Sequence, residues 1–269
     1  MGLLDLLGWR LSARLLAAGV GCFALGACAV AVASERDDLW RVVRACAADA
    51  RLTTLAFPCL AVDLEGGVER GHILLRPPWA NDLILSPTRR SVGVEDPFLQ
   101  SPDAPNYFAE AWRARAMIKT TNGLPPARDQ VALIVNSASV RAQDQLHVHI
   151  ACLLPHVRRF LEDAAPAMSL DAWRPVGLVK PHEVLWGLRV RSADLEGVNP
   201  FRLVHRAFDG AVRNPADEMI MVVGARVDDQ DEFLVLAVYG RAPRPSLTVG
   251  MDTFADPRCK GEGEAEPGG

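Results

Sequence analysis

Arg141-Ala-Gln-Asp-Gln-Leu-His-Val-His-Ile-Ala-Cys152 is the stretch on which the reading of this chain turns. From Leu146 to Ile150, apolar residues and imidazoles alternate strictly, which is the period of a strand. In a strand over 145–154, stopped by Pro155, His147 and His149 share one face. Leu146, Val148 and Ile150 then share the other, buried face. Gln143 and Gln145 extend the histidine face if the strand is regular that far, and Arg141 reaches toward it. That face carries a nucleophilic nitrogen, a second imidazole and several hydrogen-bond donors. Such a surface suits attack on phosphorus, because neutral imidazole is a nucleophile and a phosphoryl oxyanion needs donors around it. A zinc-ligand pair and a plain strand without chemistry are the competing readings of the same residues. Against zinc, no third ligand stands nearby at a familiar spacing, and His72, His156, His182 and His205 are scattered. On this segment alone the three readings stay open.

Around this strand the pattern alternates between helices and strands. Asp37 to Ala48 has the apolar spacing of a helix, with Leu39, Trp40, Val43, Cys46 and Ala47 recurring. Arg70 to Arg76 reads as a short strand ended by Pro77-Pro78. Asn81 to Ser101 reads as loop-rich. Trp79, Leu83 and Leu85 in or beside it are candidates for an apolar lip. Ala104 to Thr121 is the strongest helix, with Gly123 where a C-terminal cap belongs. Val131 to Val135 reads as a buried strand and His156 to Ala164 as a helix. Met219–Ala225 and Phe233–Tyr239 flank Asp228-Asp229-Gln230-Asp231 as a hairpin. The fold class is α+β. The expected division is an N-terminal segment over 1–34, a catalytic domain over 35–255 and a flexible tail over 256–269, ordered only near Cys259.

The N-terminus sets the expected compartment. Leu15 to Ala33 is a charge-free run of 19 residues, preceded by Arg10 and Arg14 and followed by Glu35, Asp37 and Asp38. It predicts one transmembrane helix with its basic flank in the cytoplasm. Ala31-Val32-Ala33 also suits signal-peptidase cleavage, and Leu25-Gly26-Ala27-Cys28 a lipoprotein site. Each reading places the remaining chain outside the cytoplasm, at or near the membrane, and the retained helix makes it single-pass in the cell inner membrane with the catalytic domain outside the cytoplasm. In that oxidising setting Cys46, Cys59, Cys152 and Cys259 are expected to pair. Cys46 and Cys59 stand 13 positions apart around Phe57-Pro58, which leaves Cys152 with Cys259. Four cysteines allow three pairings, and the sequence alone does not choose among them.

The 269 residues carry a formal net charge of −4 and are 49% hydrophobic and 23% charged. That composition excludes a wholly disordered chain. It also excludes a broad basic face for nucleic acid, while leaving room for a small basic pocket for phosphates.

The ordered set of segments resembles a known family. Pro97-Phe-Leu-Gln-Ser-Pro-Asp-Ala-Pro-Asn-Tyr-Phe108, Ala111-Trp-Arg-Ala-Arg115, Asn136-Ser137, the stretch Gln143 to Cys152, His182-Glu183 and Asn199-Pro-Phe201 are similar to the bacterial CDP-diacylglycerol pyrophosphatases, within the histidine-triad (HIT) superfamily. The N-terminal apolar segment and the Cys46/Cys59 pair fit the same pattern. The likeness runs from about Leu15 to about Cys259. It implies a HIT-like antiparallel sheet with packed helices and hydrolysis of the lipid CDP-diacylglycerol to CMP and phosphatidate. It also implies a membrane as partner and neither metal nor other cofactor. His147 then corresponds to the histidine that becomes nucleotidylated, and His149 to the last of the triad. Asn136, Ser137, Arg141, Gln143 and Gln145 correspond to phosphate-binding positions, and His182 is a looser candidate. The chain departs from the superfamily at the first triad position, where Gln145 stands. Glutamine can donate a hydrogen bond but cannot act as a general acid. The competing functions are a broader HIT-type nucleotidyltransferase and a membrane-tethered, non-catalytic module that binds nucleotides or anionic lipids.

Overall fold

Val131–Val135 (β4) is apolar at every position and buried throughout, as a strand covered on both faces must be. A computed structural model describes residues 35–53, 55–78, 81–208, 214–240 and 247–260. Among these, ten strands build one antiparallel sheet around β4. Its order is β1 (Ala61–Asp63), β2 (His72–Leu75), β3 (Leu83–Pro87), β5 (Val148–Leu153), β4, β8 (Met219–Val227), β9 (Gln230–Gly240), β7 (Glu183–Arg191) and β6 (Arg174–Lys180). A short strand, β10 (Ala255–Asp256), pairs with β5 at Leu153 and Cys152.

Helices cover both faces of the sheet, and their apolar residues decide which. Helix α1 (Asp38–Thr53) sets Leu39, Val43 and Cys46 against Ile73 of β2. Helix α2 (Tyr107–Ala114) buries Tyr107, Phe108, Ala111 and Trp112 on the face that holds Val148, Ile150 and Leu133. Helix α3 (Pro155–Ala164) packs Val157 and Leu161 on the opposite face, against Ile134, Met221 and Leu236. Helix α4 (Pro200–Phe208) returns to the first face, where Phe201 meets Phe108 at 4.8 Å between ring centroids. His149 of β5, with His147 just before the strand, therefore lies on the α3 face, opposite Val148 and Ile150.

Several boundaries differ from the sequence expectation for physical reasons. The long helix expected over 104–121 starts only at Tyr107, because the Asn106 side chain accepts from the Ala109 N–H at 3.3 Å and caps it. It tightens into a 3-10 turn at Arg115–Met117. The loop-rich segment contains β3, and Leu83 and Leu85 are sealed in the core instead of forming a lip. Trp79 lies outside the described residues. Strand β5 begins at Val148, later than expected. The hairpin at Asp228-Asp229 has φ of 50° and 60° at the two residues, the left-handed pair that a tight two-residue turn requires. Near Cys259 the Asp256 carboxylate accepts from the N–H groups of Arg258 and Lys260 at 3.0 and 3.1 Å.

One expectation is overturned. No helix among the described residues is long and apolar enough to cross a membrane. The longest, α1, has 16 residues and carries Asp38, Arg41, Arg44, Asp49 and Arg51, whereas a span needs roughly 20 apolar residues. The run Leu15–Ala33 lies outside the described residues. The expected transmembrane helix is thus not supported, nor is the single-pass inner-membrane placement built on it.

Trp112 fixes how α2 meets the sheet. Its ring stands edge-on to Phe233 at 4.7 Å, with the Arg115 guanidinium 3.8 Å from its centroid. Gly224 of β8 gives it room: a Cβ there would lie 2.6 Å from both the Trp112 ring and the Arg128 carbonyl oxygen. Because that oxygen is backbone, the neighbour cannot swing aside. Gly224→Ala should therefore destabilise the fold by about 1–3 kcal/mol through overpacking, measured as a lowered urea midpoint with an unchanged slope.

Candidate active site

The site forms where β5 begins. His147 and His149 are each 8% exposed, with ring centroids 4.7 Å apart and planes at 74°. His147 Nδ1 stands 2.7 Å from the main-chain oxygen of Gln145. A carbonyl only accepts, so Nδ1 carries the proton and Nε2 keeps its lone pair. The hydrogen bond thus sets the tautomer that a nucleophile needs. His149 Nδ1 lies 3.3 Å from Asp82 Oδ2, so its proton also sits on Nδ1 and faces the carboxylate when the ring is neutral.

Burial drives His147 strongly toward the neutral form. Desolvation is the main cause, the neighbouring His149 adds to it, and the Gln145 carbonyl opposes it. The net effect is a pKa pushed down to about 3. A nucleophile held neutral at ordinary pH needs no base to free it.

The residues expected to bind phosphate separate into two groups. Asn136 comes to the histidines. It directly follows β4, and continuing the Ile134–His149 pairing places it across from His147. Its Oδ1 accepts from the Met251 N–H at 3.0 Å, which turns the amide and leaves Nδ2 without a protein partner among the described residues. Ser137 is buried, and its hydroxyl meets that of Ser139 at 3.0 Å.

The others are occupied elsewhere. Arg141 is locked to Glu95 by two hydrogen bonds of 2.7 Å and to Asp144 at 3.1 Å. Gln143 holds the start of α1, accepting from Leu39 N–H at 2.8 Å and donating to the Glu35 carbonyl at 3.0 Å. Gln145 is wholly buried. Its Nε2 donates to the carbonyls of Pro87 and Arg89 at 3.1 and 3.0 Å, and its Oε1 accepts from Ser91 N–H at 3.3 Å. An amide suits this mixed set of partners because it both donates and accepts. His182 sits exposed at the tip of the β6–β7 hairpin with φ of 73°, four strands from β5.

The four cysteines of the described residues are joined in two disulfides. Cys46 of α1 bonds Cys59, with Cα atoms 5.9 Å apart. Cys152 of β5 bonds Cys259, with Cα atoms 5.1 Å apart. Among the described residues, no three His, Cys, Asp or Glu side chains stand together to hold a metal ion.

Asp82 is the site residue that sequence reasoning missed. A partial signal existed: in Asp82-Leu-Ile-Leu-Ser86 two polar residues four positions apart fall on one face of an apolar strand. Ser86 completes that pattern, its hydroxyl donating to the Leu146 carbonyl at 2.7 Å just before His147.

Comparison with known proteins gives a consistent result. A family model described as CDP-diacylglycerol pyrophosphatase matches residues 34–262. The CDP-diacylglycerol pyrophosphatase of Yersinia pestis is 32% identical over 180 residues, covering 66% of this chain and 68% of that protein. The probable CDP-diacylglycerol pyrophosphatase of Mycobacterium leprae is 31% identical over 230 residues, covering 84% and 81%. The CDP-diacylglycerol pyrophosphatase of Mycobacterium tuberculosis is 28% identical over 229 residues, covering 84% of each.

The protonation of His147 is directly measurable. With ¹⁵N-labelled histidine, its ring should stay in the neutral Nδ1–H form from pH 8 down to about 4. A titration near 6.5, the ordinary histidine value, would contradict the geometry. The sign for stability follows: the unfolded chain takes up this proton near pH 6.5, but the folded chain does not until about 3. His147 therefore withdraws stability as pH falls through that window.

Proposed function

The chain belongs to the CDP-diacylglycerol pyrophosphatase family, and on that premise we propose that His147 is its nucleophile and His149 its proton-transfer partner. It is a hydrolase acting on the pyrophosphate bond of CDP-diacylglycerol. The observation that carries the assignment is the 2.7 Å bond from His147 Nδ1 to the Gln145 carbonyl, which leaves Nε2 as the reactive nitrogen.

Nε2 attacks the phosphorus bearing cytidine. The bond from that phosphorus to the bridging oxygen breaks, and phosphatidate leaves with the electron pair. The ring then carries CMP on Nε2 and a positive charge, which the Nδ1–H bond to the Gln145 carbonyl helps to disperse. Water attacks the same phosphorus in the second step, releases CMP and restores the neutral ring. Two displacements through a reactive phosphoramidate replace one difficult one.

His149 serves the oxygens that gain and lose protons. With Nδ1 fixed on Asp82, its Nε2 can deliver a proton to the leaving oxygen and later take one from water. The Asp82 carboxylate offsets the charge that this proton creates. Asn136 Nδ2 is placed to donate to a non-bridging oxygen where negative charge grows. The pairing of two imidazoles on one strand face also supports a HIT-like reading, with Gln145 as a support for the nucleophile in place of the first triad histidine.

The test is to incubate the purified chain with detergent-dispersed CDP-diacylglycerol, quench in alkali and examine the peptide containing His147 by mass spectrometry. A CMP adduct on His147 is expected. His147→Ala should lose the adduct and at least about 10³-fold in hydrolysis. His149→Ala should lose about 10²-fold. Undiminished CMP release by His147→Ala would remove it from the nucleophile role.

A further inference from the structure

The C-terminal part of β7 runs past its last pairing with β6, at Gly187–Arg174. Between that part and the start of α4 lies a cavity of about 540 Å³. It is far from the histidines. His149 pairs with Ile134, Ile134 with Met221, Met221 with Leu236 and Leu236 with Gly187. Four strand spacings of about 4.8 Å thus separate His149 from β7, roughly 19 Å across the sheet. The cavity lies further along β7.

Its lining is built for negative charge. Arg189, Arg191, Arg202 and Arg206 all contribute to the wall. Arg189 and Arg191 share one carboxylate, Glu232, at 2.9 and 3.5 Å. Among the described residues, Arg202 and Arg206 have no acidic partner. They stand four apart on α4, a spacing at which like charges repel and destabilise a helix. Asp171 is the acidic residue of the lining. After Glu232 and Asp171 are counted, the guanidiniums leave the cavity net positive.

The start of α4 borders the same cavity. Asn199 caps α4: its Oδ1 accepts from the Phe201 N–H at 3.1 Å, and its carbonyl accepts from Leu203 at 3.1 Å. The residue is 4% exposed and lines the cavity, while its Nδ2 is sealed from solvent and has no hydrogen-bond partner among the described residues. It stands at the positive end of a helix, beside unpaired guanidiniums.

We propose that this cavity is a binding site for a phosphate-class anion, separate from the catalytic histidines. The anion's oxygens are bridged by Arg202 and Arg206, whose forked donors match a phosphoryl group, at the positive end of α4. A free phosphate or phosphomonoester and the headgroup of an anionic phospholipid share this chemistry. The site does not depend on the reaction assigned to His147.

The test uses the full chain. Inorganic phosphate is titrated and followed by calorimetry, and flotation is compared on phosphatidylcholine vesicles with and without phosphatidate. Phosphate binding without vesicle preference identifies a soluble phosphoryl ligand. Preferential flotation with phosphatidate identifies a lipid headgroup. In either case R202Q/R206Q should weaken binding at least tenfold, while CMP release from detergent-dispersed substrate stays within twofold. Asn199→Asp keeps the cap oxygen but adds a negative charge at the cavity wall, and should weaken binding with thermal stability retained. R202K/R206K should recover part of the affinity. Absence of wild-type binding to both probes, or equal binding by R202Q/R206Q, overturns the proposal.

Discussion

The donation from His147 Nδ1 to the Gln145 carbonyl is the interaction on which the chemistry rests. It fixes the tautomer and aims Nε2 outward, yet it lies within two residues of one strand end. A carbonyl can hold a ring only if it is itself immobile. The Gln145 side chain supplies that rigidity by bridging the backbone of Pro87, Arg89 and Ser91. Ser86 adds a bond to the Leu146 carbonyl. The turn after β3 thus positions the proposed nucleophile, although none of its residues has a side chain suited to attack phosphorus.

A second layer of charge holds the approach to β5. Arg141 spans Glu95 and Asp144, and Asp144 in turn takes both Arg36 and Arg141. The Arg36 hydrogen bond is the main cause that pulls the Asp144 carboxyl down to about 2, so this joint keeps its charge at ordinary pH. These pairs are only partly buried, the Arg141 side chain being 7% exposed and its two carboxylate partners 26% and 28%, and they fix geometry more than they add stability. Freeing Arg141 to clamp a substrate phosphate would abandon two carboxylates, and one guanidinium cannot serve both demands.

What the sequence revealed follows from how local each signal is. The alternation from Leu146 to Ile150 placed both histidines on one face because strand geometry is local. Val131–Val135 and the Asp228-Asp229 turn were legible for the same reason. Residues chosen for polarity alone fared differently. Gln143 and Gln145 share the polar character of a phosphate donor, but their partners, Leu39 and the turn after β3, lie about 50 to 100 positions away. Asp82 was hidden likewise: its role exists only because β3 pairs with β5. Strand β7 escaped because apolar residues on both its faces erase the two-residue rhythm. The start of α4 at Asn199-Pro200 carried a cap signal, but the helix is too short for a strong period.

The strand that bears the histidines borders a segment made near the end of synthesis. Strand β10 closes the edge of β5 beyond β3, Cys259 is bonded to Cys152, and the Met251 amide turns Asn136 toward the site. A nascent chain on the ribosome carries His147 long before it carries these parts. The centre is therefore complete only after more than a hundred further residues have been added, so the growing polypeptide passes most of its elongation without an assembled site.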